Sequence, residues 1–198
     1  METTVTKLIE KITLSNTKND EVIVLKHFHM RAEEESVVKE FSDKGINVDF
    51  GPIYPDEWES LTYQEKVTLA DKHIFPLVVN AVYLNKEYQA TDEDIEKLKV
   101  FPSLGRVWIA SNSVSAQGLK ELKYHKHLHT LILYSNSATD ELYETLMLLE
   151  NLVTFDVQDS RMTQYCLDKL GIDHSSLNEI YGPDLYHKKF GRLSYEST

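Results

Sequence analysis

Residues 131–140 read "LILYSNSATD". Leu131 and Leu133 alternate with exposed-type residues, then the run breaks off into Asn-Ser and a Thr-Asp pair. Alternation at a period of two is the pattern of a strand with one buried face. The hydroxyl that follows suits a helix N-cap, where its oxygen accepts a free backbone N–H. Nearly the same stretch occurs twenty-four residues earlier, as "VWIASNSVSA" at 107–116. A pattern that returns at a fixed interval has to be tested as a repeat first.

The test succeeds over residues 79–173. Units begin at Leu104, Leu128 and Leu152, each 24 residues from the last, and one more begins 25 residues upstream at Val79. The first slot holds Val79, Leu104, Leu128 and Leu152. The fourth holds Val82, Val107, Leu131 and Phe155; the sixth holds Leu84, Ile109, Leu133 and Val157. A small or flexible apolar residue follows (Ala90, Val114, Ala138, Met162), then a hydroxyl (Thr91, Ser115, Thr139, Thr163). Apolar pairs at helical spacing complete each unit: Ile95 and Leu98, Leu119 and Leu122, Leu142 and Leu146, Leu167 and Leu170. Every unit therefore reads strand, turn, helix, and the last helix is expected to end at Gly171.

This pattern resembles the leucine-rich repeat family. The motif L-x-x-L-x-L-x-x-N is met by Leu104, Val107, Ile109 and Asn112, and again by Leu128, Leu131, Leu133 and Asn136. The first and last units depart from it, with Tyr88 and Ser160 in the Asn slot. The likeness covers about half the chain. It implies an α/β right-handed solenoid with a parallel sheet of about six strands and helices on the outer face. Asn112 and Asn136 are expected to satisfy turn backbone between neighbouring coils, because an amide carries two donors and an acceptor. The expected strands lie near 22–26, 46–50, 82–85, 107–110, 131–134 and 155–158.

The flanks are less regular. Residues 1–78 are expected to form an α/β capping region of degenerate repeats, with an independent N-terminal domain as the alternative. "EVIVL" (21–25), "RAEEESVVKEFSDKG" (31–45) and "INVDF" (46–50) read as strand, helix, strand, the order of a βαβ unit. Residues 61–75 read as a helix with a capping box at Thr62 and Glu65. The segment 174–198 reads as a C-terminal cap or tail, with a short helix in "SSLNEI" starting at Ser176.

Composition narrows the function classes. The 198-residue chain is 41% hydrophobic and 27% charged, with a net charge of −11 and one cysteine, Cys166. These are the proportions of a globular protein, and a single cysteine points to a reducing, cytoplasmic setting. Acidity without a basic cluster argues against nucleic acid as a partner. No run approaches the roughly 20 apolar residues a membrane span needs. The sequence lacks a P-loop, a G-x-S-x-G elbow and a dinucleotide glycine fingerprint, so no cofactor and no catalytic set is expected.

A binding role fits better. In such a fold the strand residues between the buried slots form an open face. Tyr83, Trp108, Ile132 and Asp156 make one row. Asn85, Ala110, Tyr134 and Gln158 make a second; Ala81, Arg106, Thr130 and Thr154 make a third. Tyr83, Trp108, Ile132 and Tyr134 are expected to form an apolar patch edged by Arg106 and Asp156, with Gln158 beside it. Aromatic residues and arginine are the usual anchors of protein interfaces. The expected function is an adaptor-like interaction module, with an immunity or inhibitor protein facing a basic partner as a narrower form. The alternative is a metal-dependent hydrolase in the N-terminal third built on His27 and His29. "HKHLH" (125–129) forms a second histidine cluster, but neither has the paired ligand set zinc requires.

Overall fold

The computed structural model describes residues 30–52, 77–84, 89–135 and 137–191. It is an α/β structure with seven strands in one sheet. In chain order the elements are α1 (Ala32–Asp43), β1 (Asn47–Pro52), β2 (Leu77–Leu84), α2 (Asp92–Lys97), β3 (Arg106–Ile109) and α3 (Ala116–Leu119). They continue with β4 (Thr130–Leu133), α4 (Tyr143–Leu146), β5 (Thr154–Asp156), α5 (Gln164–Asp173), β6 (Glu179–Tyr181) and β7 (His187–Lys189). Strand order in the sheet follows chain order from β1 to β7.

Strands β2 to β6 are all parallel, and their register is the repeat itself. Val82 pairs with Val107, Val107 with Leu131, Leu131 with Phe155 and Phe155 with Ile180. The first four of these side chains are fully buried, as is Ile180. Burial of one residue from every strand at the same height gives a continuous apolar column. Shifting any strand by one residue would turn its buried set outward, so burial fixes the register. The paired helical residues Ile95 and Leu98, Leu119 and Leu122, Leu142 and Leu146, and Leu167 and Leu170 belong to the same core. The helices thus cover one face of the sheet.

The return segments are short. Leu98–Val100 and Lys120–Tyr124 continue α2 and α3 as 3-10 helix, and Asp140–Leu142 leads into α4 in the same form. A layer of about 24 residues holds a short strand and one helical return, and 3-10 geometry lets fewer residues span that return because it rises further per residue than an α-helix. All four hydroxyls fall at the starts of these returns, but Thr139 makes no side-chain cap bond. The Ser115 oxygen accepts from Gly118 N at 3.1 Å, and the Thr163 oxygen accepts from Cys166 N at 3.2 Å. Thr91 N donates to Asp94 Oδ2 at 2.9 Å, closing a reciprocal cap.

A second device locks neighbouring layers together at two places. Asp92, the first residue of α2, accepts from Ser115 N at 2.7 Å and from Ser115 Oγ at 2.6 Å. Asp140 holds Thr163 in the same way, at 2.7 Å for both contacts. Both carboxylates sit at a helical N-terminus, where the exposed N–H groups favour negative charge. Gly118 makes the first clamp possible, because a Cβ there would lie 2.1 Å from Asp92 Oδ1.

Several expectations are corrected. The strand expected at 46–50 joins the sheet, but β1 runs antiparallel to β2. Alternating burial identifies a strand without giving its direction, and the parallel reading rested on the strand, helix, strand order of a βαβ unit. The tail adds strands instead of a helix at "SSLNEI": β6 extends the parallel run and β7 returns antiparallel. Leu177 and Ile180 stand 25 residues after Leu152 and Phe155 and are fully buried, so β6 opens a fifth layer. Gly182 occupies its sixth slot, where a Cβ would meet Leu167 at 2.5 Å, and this glycine hides the motif.

Helix α5 does not stop at Gly171 but runs on to Asp173. Gly171 is there for packing, since a Cβ would lie 1.9 Å from the Phe190 ring. Asn112 itself is exposed, and the buried polar residue of this turn is Ser111 beside it, 3% exposed. The Ser111 hydroxyl donates to Ala90 O at 2.7 Å and accepts from Ser113 N at 3.1 Å. A hydroxyl is a donor and an acceptor in a smaller volume than an amide, and it fills the buried turn seat. Ser135 is buried likewise and accepts from Ser137 N at 3.3 Å, but it donates to the Asn112 side-chain oxygen at 3.2 Å instead of a backbone carbonyl. The strand expected near 22–26, the helix at 61–75 with Thr62 and Glu65, and Asn85, Tyr88 and Asn136 lie outside the described residues.

Candidate functional site: the open face of the sheet

The face of the sheet opposite the helices carries the residues that alternate with the buried column. Its central row is Tyr83, Trp108, Ile132, Asp156 and Tyr181, aligned by the pairing of β2 to β6. Adjacent parallel strands lie about 4.8 Å apart, so neighbours along this row are in side-chain contact range. Trp108 is the hinge of the aromatic part. Its ring packs edge-on against Tyr83 at 6.0 Å and against Tyr134 at 5.8 Å between centroids. Edge-to-face geometry of this kind is the favoured one for aromatic pairs. Trp108 is 36% exposed, a large share for an indole held by two rings.

Polar bonds fix the surrounding side chains. Tyr83 Oη donates to Asp49 Oδ2 on β1 at 2.8 Å. Tyr134 Oη donates to Asp156 Oδ2 at 3.1 Å, and Gln158 Nε2 donates to the same oxygen at 3.2 Å. Burial, then the neighbouring carboxylates Asp49 and Asp156, push the Tyr83 and Tyr134 hydroxyls above the ordinary tyrosine range. Both phenols therefore stay protonated at neutral pH and act as donors. At the far end Tyr181 stacks on His187, with centroids 4.4 Å apart. Glu179 accepts from His187 Nε2 at 2.9 Å and pairs with Lys189 at 3.2 Å.

The seven expected contact residues share this face. Tyr83, Arg106, Trp108, Ile132, Tyr134, Asp156 and Gln158 all project from it, and none is buried. Ala81 and Ala110, placed in the same rows, are 4% and 5% exposed. They are too short to rise above their larger neighbours. Asp156 is not at an edge as expected, because β6 places Tyr181 beyond it. Tyr181, His187 and Leu185 were missed. The first two were hidden because the tail did not read as strand. Leu185 is 99% exposed at the tip of the β6–β7 hairpin, with φ +62 after Asp184 at φ +54.

A polar cleft of about 400 Å³ adjoins Tyr134 at the C-terminal ends of β3 and β4, lined by Gln89, Ser111, Asn112 and Asp159 among others. The histidines of 125–129 do not converge: His125 is 6% exposed, while His127 and His129 are exposed. Among the described residues no group of three or more His, Cys, Asp or Glu could hold a metal ion. His27 and His29, and with them the hydrolase alternative, lie outside the described residues. Burial pushes the Cys166 thiol up to about 11, which leaves it protonated and a poor nucleophile at neutral pH. Among the described residues no helix is long and apolar enough to cross a membrane. Compared with family models, curated proteins and solved structures, the chain matches none.

Proposed function

We propose that the chain is a short leucine-rich-repeat-like right-handed solenoid, and that the open face of its sheet captures a partner protein. Support for the fold comes from the register: equivalent residues pair from layer to layer at offsets of 24 or 25. The hydroxyl caps and the shared apolar column recur in the same places. Support for the function rests on one observation above all: Trp108 stays 36% exposed between Tyr83 and Tyr134. Rigid, half-open aromatic clusters are what partners use as anchors, and truncating one typically costs about 2–4 kcal/mol of binding. The surrounding rim is polar and hydrogen-bonded, as interfaces are. An inhibitor or immunity-type role is the narrower form of this reading, supported by the net charge of −11.

The test is selection of short random peptides on the immobilised full chain, repeated with Trp108→Ala and Tyr134→Ala combined. The double variant should lose at least about tenfold in affinity for the selected peptides. Its melting temperature should stay close to that of the parent, because neither residue belongs to the buried column. Undiminished peptide binding by the folded double variant rules the reading out.

A further inference from the structure

We infer that this face holds a seat for a positively charged side chain of the partner, an arginine above all, centred on Asp156 and walled by Trp108, Tyr134 and Tyr181. The inference rests on the docking reading above and adds its chemistry.

Asp156 lies mid-row, half-buried, between Ile132 on β4 and Tyr181 on β6. Its carboxylate is held by neutral donors: Tyr134 Oη, Gln158 Nε2 and Gln158 N, the last at 3.3 Å. Among the described residues no cation lies within ion-pair range of it. Other acids on the face are differently placed. Glu179 has His187 and Lys189, and Asp49 sits at the opposite side against Tyr83. The cation–π contacts between described residues are over Tyr124, Tyr143 and Phe190. Trp108 and Tyr134 therefore keep their rings free of cations among the described residues, while one face of Tyr181 is taken by His187 and the other is left to the seat.

Three physical terms point the same way. A carboxylate partly removed from water, with its geometry already set by hydrogen bonds, attracts a cation more strongly than an exposed one. Aromatic rings beside it add cation–π attraction. The chain's net charge of −11 draws a basic partner and repels an acidic one. Arginine fits better than lysine, because its planar guanidinium can lie against a ring while its N–H groups reach the carboxylate. Ile132, between Trp108 and Asp156, offers an apolar floor for the side chain's methylenes.

The experiment uses the full chain and the random-peptide selection. Selected peptides should be rich in arginine and lysine. One arginine-containing peptide is then compared with its citrulline isostere, which keeps the shape and removes the charge. Citrulline should weaken binding by about tenfold or more, and Asp156→Asn should weaken the arginine peptide by a similar factor while moving the citrulline peptide less than about twofold. Asp156→Glu should recover part of the loss, and Asp156→Ser replaces Asp156→Asn if the latter melts early. Peptides without basic enrichment, or equal arginine and citrulline affinities, overturn the cation seat. If those peptides still need Trp108 and Tyr134, the docking reading survives alone. A selection that yields no peptide, or peptides indifferent to Trp108→Ala with Tyr134→Ala, overturns both.

Discussion

The two faces of the same five parallel strands obey different rules. On the helix side each layer repeats its neighbour, so that Val82, Val107, Leu131, Phe155 and Ile180 stack at one height. On the open side the residues one position away, Tyr83, Trp108, Ile132, Asp156 and Tyr181, share no common character. The first face answers to packing, which asks every layer for an apolar side chain of similar size. The second is under no such demand, and its members are aromatic, aliphatic and acidic. Repetition on one face and variety on the other is the contrast on which the proposed docking role rests.

Adjacent residues of β4 give the most direct way to break that contrast. Leu131→Ala opens a cavity in the column and is expected to cost about 2–5 kcal/mol in denaturant unfolding. Ile132→Ala, one residue along, should cost about 1 kcal/mol or less because its side chain is half-exposed. Equal losses would mean that the open face is structural too. A smaller effect tests the clamps behind the sheet. Asp92→Ala removes two bonds to Ser115 and should cost about 1–2 kcal/mol, on the scale of a lost N-cap. Gly118→Ala should act in the same direction, since its Cβ displaces the Asp92 carboxylate.

The buried turn before each strand sharpens the comparison through pH. Phe101, His125, Leu149 and His174 occupy equivalent places and are all buried. Burial holds the His125 imidazole below its ordinary pKa of 6.5. The folded state therefore keeps His125 neutral at a pH where the unfolded chain has begun to bind a proton. Stability falls as pH drops below about 6.5, and the loss ends once His125 protonates in the native state as well. His125→Leu, which copies the next layer, should flatten that part of the profile in thermal melts at pH 5 and pH 7. An unchanged profile would place the acid sensitivity elsewhere. The smallest effect is expected at the hairpin tip. Leu185→Gly relieves a left-handed backbone at φ +62 and should stabilise the fold by about 0.5–1 kcal/mol.

Legibility followed the same division. The column residues from Val82 to Phe155, the positions of the N-cap hydroxyls and the paired apolar helical residues were readable, because each recurs at a fixed interval and burial forces its type. Asp156 and Trp108 were placed on one face by alternation alone. Periodicity could not find Tyr181, since Gly182 breaks the motif and Phe190 packs onto Gly171 in a contact no local pattern encodes. It also gave no sign of Ser111, whose hydroxyl fills a buried turn seat beside Asn112. Both residues are polar and adjacent, and only packing decides which turns inward.

The sequence by itself determined which residues are buried and how often, because the hydrophobic effect acts on side-chain type at the period of strand and helix. Tertiary structure alone decided strand direction at β1 and β7, the fifth layer, and the meeting of Trp108, Tyr134, Asp156 and Tyr181. Those depend on contacts between segments far apart in the chain, and distance in sequence carries no record of proximity in space.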